Sequence, residues 1–255
     1  MMVPCGKCTA CRIQKSKEWA VRLMHETDYH EKNSFITLTY QEEFLPTDNS
    51  LNKYVLQHFL KRLRKLTDPK KIKYYACGEY GRKEKTHRPH YHAIIFGLSR
   101  GEKELVERSW PWGMVDIGTV TYQSCRYVAG YVQKKLTGKL AEKEYSEKKL
   151  HPPFALQSLG LGKQFCLDNK EQILQKLNIT MFGQNVGIPR YYRKILKIDS
   201  EKMYEKSLLA EKEINEKLFA RGIPDDDDLY YRKYWNLQQH EKNLIAKTNL
   251  KESKL

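Results

Sequence analysis

The chain has 255 residues, and its 46 Lys and Arg outnumber its 31 Asp and Glu, which gives a formal net charge of +15 at pH 7. An excess of this size indicates a polyanionic partner, with nucleic acid as the leading class because Lys and Arg neutralise its phosphates. The alternative is a basic protein without such a partner. No apolar run approaches the roughly 18 residues of a membrane span and no hydrophobic signal segment opens the chain, so we expect a cytoplasmic protein without a membrane partner.

Three of the six cysteines crowd the start of the chain, at Cys5, Cys8 and Cys11. In a cytoplasmic protein they are expected to be reduced rather than paired. Two successive Cys-x-x-Cys steps can bring thiolates onto one zinc ion, but a closed tetrahedral site needs a fourth ligand, for which Cys77 and His25 are candidates. A structural zinc is therefore one interpretation. An iron–sulfur cluster or a redox pair fits less well, because nothing nearby resembles either framework.

Helical and strand patterns alternate over the next sixty residues. Apolar residues at helical spacing predict an amphipathic helix from residue 16 to about 29. Residues 34–40 alternate apolar and hydroxylic side chains, which predicts a strand with one buried and one polar face. A single apolar stripe with Lys and Arg beside it predicts a basic helix over 51–66 that packs on a sheet.

A predicted hairpin comes next. Residues 72–77 are typical of a strand, and the two glycines of Gly78-Glu79-Tyr80-Gly81 predict a turn after it. The segment from His87 to Gly97 is rich in β-branched and aromatic residues and predicts the second strand. Successive side chains of a strand point to opposite faces, so His90 and His92 share one face, with Glu79 near the joined strand ends. The three side chains predict a metal site, unless the histidines are ordinary polar residues of a half-exposed strand.

A further strand is predicted over 114–120, after the aromatic turn 110–113, and a helix over 126–136. On that helix Tyr127 and Tyr131 lie one turn apart on the same face, with Lys134 one turn further along. The alternative is that both tyrosines are core aromatics. If they are functional, a tyrosine oxygen can attack a DNA phosphodiester and form a covalent phosphotyrosine, because the metal and Lys134 both favour the phenolate. A second tyrosine can then attack the regenerated junction while the first still holds DNA.

The second half of the sequence carries weaker signals. Residues 138–149 are charged and linker-like, and 158–162 and 187–193 are predicted as irregular basic loops. Two charged helical segments are predicted over 200–220 and 229–248. The four aspartates 225–228 precede the second of these segments, where negative charge suits a helix start, and we interpret them as solvated rather than as a metal site.

Five motifs carry a resemblance to a known family. They are Val3-Pro-Cys-Gly-Lys-Cys8, Phe35-Ile-Thr-Leu-Thr39, Gly78-Glu-Tyr-Gly81, Arg88-Pro-His-Tyr-His92 and Tyr127-Val-Ala-Gly-Tyr131-Val-Gln-Lys134. In this order they resemble the HUH endonucleases that start rolling-circle replication, and in particular the replication initiation proteins of microviruses, especially of the gokushovirus branch. The resemblance covers roughly residues 1–140.

The resemblance implies an α+β fold with a central antiparallel sheet of four or five strands flanked by helices, followed by a helical extension. It implies Mg²⁺ or Mn²⁺ at His90 and His92, nucleophilic tyrosines at 127 and 131 with the helix lysine 134, and nicking of single-stranded phage origin DNA in the cytoplasm of a bacterial host. Glu79 is the expected third ligand, and its close competitors are Tyr80, Glu84 and His87.

The implied organisation is an HUH endonuclease domain over 1–140 with the Cys cluster, a basic loop-rich region over 141–199 packing on it, and a charged helical extension over 200–255. The extension is a candidate surface for duplex DNA or a host helicase. Two alternatives stay open. One is a transposase or mobilisation nuclease of the same superfamily, and the other is a non-catalytic, zinc-stabilised DNA-binding protein in which the tyrosines are only core.

Overall fold

The structure, a computed structural model, describes residues 5–6, 8–81, 87–134, 141–219, 238–239 and 241–246. Within these ranges the side chains of residues 131–134, 214 and 217–219 are not described. The chain forms two compact units. We call residues 15–168 the sheet unit, and residues 1–14 together with 169–255 the terminal unit.

The sheet unit is built on five strands. They are β1 (Asn33–Thr39), β2 (Lys73–Tyr80), β3 (Pro89–Phe96), β4 (Val115–Gly118) and β5 (Phe154–Gln157). Their order across the sheet is β4-β1-β3-β2-β5, and every neighbouring pair is antiparallel. The predicted α+β class with a central antiparallel sheet is therefore confirmed, and the histidine strand β3 lies at its centre.

Helices cover both faces of this sheet. They are α1 (Thr9–Thr27), α2 (Lys53–Thr67), α3 (Lys103–Ser109), α4 (Tyr122–Lys134) and α5 (Lys163–Asp168). One core cluster joins α2 to the face of Ile36 and Tyr91, and the other joins α1 and α4 to the face of Tyr75 and Ile94. Because side chains alternate along each strand, neighbouring residues of β3 enter different cores. Phe59 of α2 is fully buried, and a burial of this kind contributes about 1.5–3 kcal/mol.

Strand β2 continues through the predicted turn at residues 78–81. Glu79 and Tyr80 are its last residues, and they pair with His90 and Pro89 of β3. The prediction of a turn here was wrong because Gly78 serves close packing instead. A Cβ on Gly78 would lie 3.0 Å from the side chain of Leu51 and 3.1 Å from that of Phe154.

Other boundaries also differ from the sequence-based prediction. Helix α1 begins at Thr9, seven residues earlier than expected. The edge strand β5 was missed, because the two prolines before it favoured an irregular segment. Residues 142–146 form a helical turn with Tyr145 buried, although they belong to a segment that was predicted as linker-like.

The terminal unit contains short elements and one long helix. They are α6 (Lys170–Lys176), β6 (Ile179–Met181), β7 (Gln184–Val186), α7 (Arg190–Ile195) and α8 (Ser200–Phe219). Strands β6 and β7 form a two-stranded antiparallel hairpin. Helix α7 replaces part of the loop predicted over 187–193, and it starts directly after Pro189, which fits a helix start. Helix α8 confirms the segment predicted over 200–220.

Parts of three predictions fall outside the described residues. The aspartates 225–228 do so entirely, as do residues 138–140 of the charged segment. Of the segment predicted over 229–248, residues 238–239 and 241–246 are described, and they are helical. The division at residues 140 and 199 stays a prediction. Within the described ranges, no helix has the length and apolarity needed to cross a membrane.

Candidate active site

Strands β2 and β3 bring Glu79, His90 and His92 together on one face of the sheet. Glu79 lies directly opposite His90 in the ladder, and His92 lies opposite Cys77. The Oε1 atom of Glu79 is 2.8 Å from Nε2 of His90 and 3.2 Å from Nε2 of His92. One carboxylate oxygen thus faces two imidazole nitrogens, and the ligand atoms of all three residues lie within 4.8 Å of one another.

The other nitrogen of each imidazole has its own partner. Nδ1 of His90 is 3.2 Å from the carbonyl oxygen of Arg88, and Nδ1 of His92 is 3.0 Å from Oγ1 of Thr37. A carbonyl oxygen only accepts, so Nδ1 of His90 carries the proton and Nε2 keeps a lone pair in the neutral ring. That lone pair points at a carboxylate oxygen. The arrangement is therefore stable only with a cation, either a proton or a metal ion, between the two atoms.

The electrostatics of the cluster agree with this need for positive charge. Burial raises the pKa of Glu79, but the hydrogen bonds and charges of His90 and His92 outweigh it and leave the pKa below its ordinary value. Burial lowers the pKa of His92, and Glu79 only partly opposes this shift. The cluster consequently favours an ionised carboxylate beside a neutral His92, which is the ligand form that metal binding requires.

The donor set fits a divalent cation. Two imidazole nitrogens and one carboxylate oxygen leave coordination positions for a substrate oxygen, as open metal sites do. The contacts of Nδ1 with a carbonyl and a hydroxyl are of the kind that orient metal-bound imidazoles. Glu79, His90 and His92 are thus the residues that could hold Mg²⁺ or Mn²⁺, and their role as ligands stays a prediction.

Helix α4 brings Tyr127 beside this cluster. The half-buried ring of Tyr127 stands edge-on to the ring of His92, with centroids 5.2 Å apart and planes at 75°. Cys125 and Val128 of the same helix are buried in the core with Ile94 and Phe96, and this packing fixes the rotation of the helix on the sheet. The candidate nucleophile and the candidate metal ligands therefore share one face of the sheet.

Tyr131 and Lys134 lie further along α4, and their side chains are outside the described part of the structure. Four residues separate Tyr131 from Tyr127, so its backbone position is about one helical turn away on the same side. Their functional roles stay predictions.

The competitors for the third ligand position have other contacts. The hydroxyl of Tyr80 accepts from the backbone N–H of Leu51 and donates to the carbonyl of His151. The ring of His87 stacks on Tyr80, and its Nε2 is 3.8 Å from a carboxylate oxygen of Glu144. Glu84 lies outside the described residues. Of the competitors that the structure describes, neither joins the two histidines as Glu79 does.

Two neighbours of His92 were not predicted as functional. Thr37 pairs with His92 across the β1–β3 ladder and contacts its Nδ1. Phe35 stacks on the ring of His92, with the centroids 5.7 Å apart and the planes at 12°. Both lie in the segment predicted as a strand with a polar face, but only the cross-strand register assigns them to His92.

The three N-terminal thiols also lie together, in the terminal unit. Cys5, Cys8 and Cys11 form a group with sulfur atoms within 4.8 Å of one another. The two residues considered as a fourth ligand belong to the sheet unit. Burial raises the pKa of the Cys77 thiol well above its usual range, and the ring of His25 stacks on Phe165. Whether either of them completes a zinc site stays a prediction.

A five-stranded antiparallel sheet with helices on both faces and a His–Glu–His cluster at its centre is consistent with an HUH-type domain. Residues 33–136, which contain the cluster and both tyrosines, match the family model of the phage replication-associated protein ORF2. The chain is 35% identical to replication-associated protein ORF2 of Spiroplasma virus 4 over 213 residues, which are 74% of this chain and 64% of that protein.

Two further relatives carry similar names. Replication-associated protein ORF4 of Chlamydia phage 1 is 35% identical over 78% of this chain and 55% of its own length, and replication-associated protein VP4 of Bdellovibrio phage phiMH2K is 32% identical over 74% and 66%. The chain belongs to this family of microvirus replication-associated proteins. It spans between 55% and 66% of the length of these relatives. No solved structure matches it significantly.

Proposed function

We propose that the chain is a metal-dependent DNA endonuclease and strand transferase of the HUH superfamily, which starts rolling-circle replication of a microvirus. The single observation that carries the proposal is the contact between Tyr127 and His92 beside the Glu79–His90 pair. A metal-type cluster next to a tyrosine is what phosphodiester cleavage with a tyrosine nucleophile requires. The replication-associated relatives and the net charge of +15 support DNA as the substrate.

Glu79, His90 and His92 would hold Mg²⁺ or Mn²⁺, which supplies Lewis-acid polarisation of a phosphate oxygen when it is bound. The rest of the work falls to the protein's own side chains. Thr37 and the Arg88 carbonyl orient the two imidazoles through their Nδ1 atoms. Phe35 and Tyr127 cover the ring of His92, which restricts its motion and limits the access of water.

In the proposed reaction a tyrosine oxygen attacks the phosphorus of a DNA phosphodiester. A phosphotyrosine bond forms, the bond from phosphorus to the departing deoxyribose oxygen breaks, and the phenolic proton is transferred in net terms to that oxygen, which leaves as a hydroxyl. The number of phosphate ester bonds is unchanged, so the reverse reaction rejoins DNA without ATP. Tyr127 and Tyr131 on one helix would allow a second attack on the new junction, and Lys134 would favour the phenolate.

The test is to incubate the purified chain with end-labelled single-stranded DNA from a microvirus origin and Mn²⁺, and then to separate the products on a denaturing gel. We expect a protein-linked DNA band that requires the metal. It should persist in at least one of Tyr127→Phe and Tyr131→Phe and disappear in the double variant. Tyr122→Phe is the matched control, because this tyrosine lies on the same helix outside the proposed pair.

The alternatives predict different results. A non-catalytic, zinc-stabilised DNA-binding protein would bind the same DNA and give no covalent band with any metal. A transposase or mobilisation nuclease of the superfamily would form the band on other DNA in preference to a microvirus origin. The names of the relatives favour replication over both alternatives.

The proposed partners follow from the same reaction. They are single-stranded and origin DNA of the phage, met in the cytoplasm of the bacterial host, and a host helicase that would open the duplex after nicking. The catalytic part is assigned to residues 1–140, and residues 141–199 and 200–255 are assigned to supporting contacts. Removal of residues 200–255 with nicking retained would support this division.

A further inference from the structure

The thiols of Cys5, Cys8 and Cys11 converge at the start of helix α1. The sulfur atoms of Cys5 and Cys11 are 4.0 Å apart, and the backbone N–H of Cys8 donates to the sulfur of Cys5 at 3.2 Å. All three sulfur atoms lie within 4.8 Å of one another. The 4.0 Å separation is too long for a disulfide, in which the sulfurs are about 2.05 Å apart.

The local backbone explains why the three thiols meet. Cys8 immediately precedes α1, and its carbonyl accepts the helical hydrogen bond from the N–H of Arg12. Cys11 lies in the first turn of the helix. Cys5 is brought back over this turn by Gly6, whose φ of +73° is a conformation that other residues rarely adopt. The spacing of three residues between cysteines is thus converted into one cluster of donors.

The geometry matches thiolate coordination of zinc. With a Zn–S bond of about 2.3 Å, tetrahedral angles place two sulfur ligands about 3.8 Å apart. The observed 4.0 Å between Cys5 and Cys11 is close to that value. Thiolates are soft ligands that select zinc over magnesium or manganese, whereas the carboxylate and imidazoles of the other site also accept the harder ions. The helix start adds a favourable field for negative sulfur.

We propose that Cys5, Cys8 and Cys11 bind one zinc ion as three thiolate ligands, and that this ion stabilises the N-terminal turn of α1. Among the described residues this group of Cys, His, Asp and Glu donors has three members, so the fourth coordination position belongs to water or to a donor outside it. The site is separate in residues and in ligand chemistry from Glu79, His90 and His92. It therefore does not depend on the proposed nuclease activity.

The experiment measures metal content in the full-length chain purified with reductant and without chelator. Elemental analysis should give one zinc ion per chain. Cys8→Ser and Cys5→Ser should reduce zinc to background, and Cys5 precedes the helix, so its variant is expected to keep the fold. Cys166→Ala is the matched control, because it removes one buried cysteine elsewhere and should leave zinc unchanged.

A second set of variants separates the two metal sites. The double variant His90→Ala, His92→Ala should keep its zinc. Co²⁺ substituted into the wild type should give sulfur-to-cobalt charge-transfer absorption, which Cys8→Ser should lose. Removal of zinc by a chelator should lower the melting temperature of the wild type and leave that of Cys5→Ser unchanged, since bound zinc contributes to folding.

Three results would overturn the proposal. The first is a reduced wild-type chain that contains no zinc and binds none on addition. The second is zinc that stays in Cys8→Ser but leaves the histidine variant, because the ion would then occupy the other site. The third is iron with acid-labile sulfide in place of zinc.

Discussion

The ring of Tyr127 lies edge-on to the ring of His92, so helix α4 and strand β3 meet at the two residues with the most specific chemistry in the chain. The same imidazole contacts Glu79 through Nε2 and Thr37 through Nδ1. His92 is only 4% exposed. Each position around its ring is therefore taken by one identifiable group, and each group can be tested by a substitution that leaves the others in place.

Thr37→Val should weaken metal binding without unfolding the protein. Valine keeps the shape and the strand preference of threonine but removes the oxygen at Nδ1 of His92. Loss of a group that orients a metal-bound imidazole typically costs about 10–100-fold in metal affinity. We expect a shift of this size in the Mn²⁺ concentration that gives half of the maximal thermal stabilisation.

The control for that variant is Thr39→Val. Thr39 lies two residues along on the same face of β1, and its hydroxyl contacts the carbonyl of Met114 rather than a histidine. Equal Mn²⁺ affinities for the two variants would show that the contact between Thr37 and His92 does not support metal binding.

Glu79→Gln should abolish stabilisation by Mn²⁺. A ligand that binds only the folded state adds about 2.7 kcal/mol of stability at about 100 times its dissociation constant. The amide keeps the size of the side chain but lacks the charge that the cation between Oε1 and the imidazoles requires. The measurement is the melting temperature with and without Mn²⁺. Glu107→Gln, at an exposed carboxylate that pairs with Lys103, should retain the full shift.

The common face of His90 and His92 could be predicted from the sequence because strands have a side-chain period of two. Their relation to Glu79 followed from the short connection between two strands. Thr37 could not be assigned in this way, since its contact depends on the register of β1 against β3, and a shift of one residue would have turned it to the other face.

Glycine and proline caused the principal errors. Gly78 predicts a turn by composition, yet its missing side chain makes room for Leu51 and Phe154 beside a continuous strand. Pro152 and Pro153 hid strand β5, which is tolerated because it lies at the edge of the sheet and pairs on one side only with β2. In both cases tertiary packing decided between two local structures that the residue permits.

Gly113→Ala should destabilise the sheet unit by at least about 2 kcal/mol, at the upper side of the usual cost of overpacking. A Cβ at this position would lie 2.0 Å from the carbonyl oxygen of Thr39 and 2.7 Å from the backbone nitrogen of Gln41. These are backbone atoms that cannot move aside as a flexible side chain does. Gly118→Ala is the control, because its Cβ would make an ordinary 3.6 Å contact with Phe35. Urea unfolding of both variants measures the difference, and similar stabilities would contradict the prediction.

Acid should destabilise the protein through His25. Burial lowers the pKa of His25 to about 4, from an ordinary value of 6.5. Between these values the unfolded chain binds a proton that the folded chain does not, so stability falls as the pH decreases from about 6.5 to about 4 and this contribution then levels off. The loss amounts to about 3 kcal/mol at most. The free energy of unfolding, measured at steps across this range, should depend less steeply on pH in His25→Gln. An unchanged slope would assign the effect to other groups.

A pocket of 370 Å³ in the terminal unit should bind DNA phosphates. It is lined by four cationic residues and three others: Arg190, Arg193, Lys194, Lys197, Ile198, Ser200 and Met203. The Nε atom of Arg193 is buried without a hydrogen-bond partner. A buried donor of this kind costs free energy unless an acceptor reaches it, and a phosphate oxygen is a suitable acceptor.

Lys194→Ala combined with Lys197→Ala should weaken the binding of single-stranded DNA and make it less sensitive to salt. The slope of log affinity against log salt concentration should become less negative by about 0.7 for each phosphate contact that is lost. Lys70→Ala combined with Lys103→Ala removes the same two charges, but these lysines pair with Glu102 and Glu107 and should matter little. Fluorescence anisotropy at several salt concentrations measures both slopes. If the two double variants lose the same amount, binding depends on net charge alone and the pocket has no specific part in it.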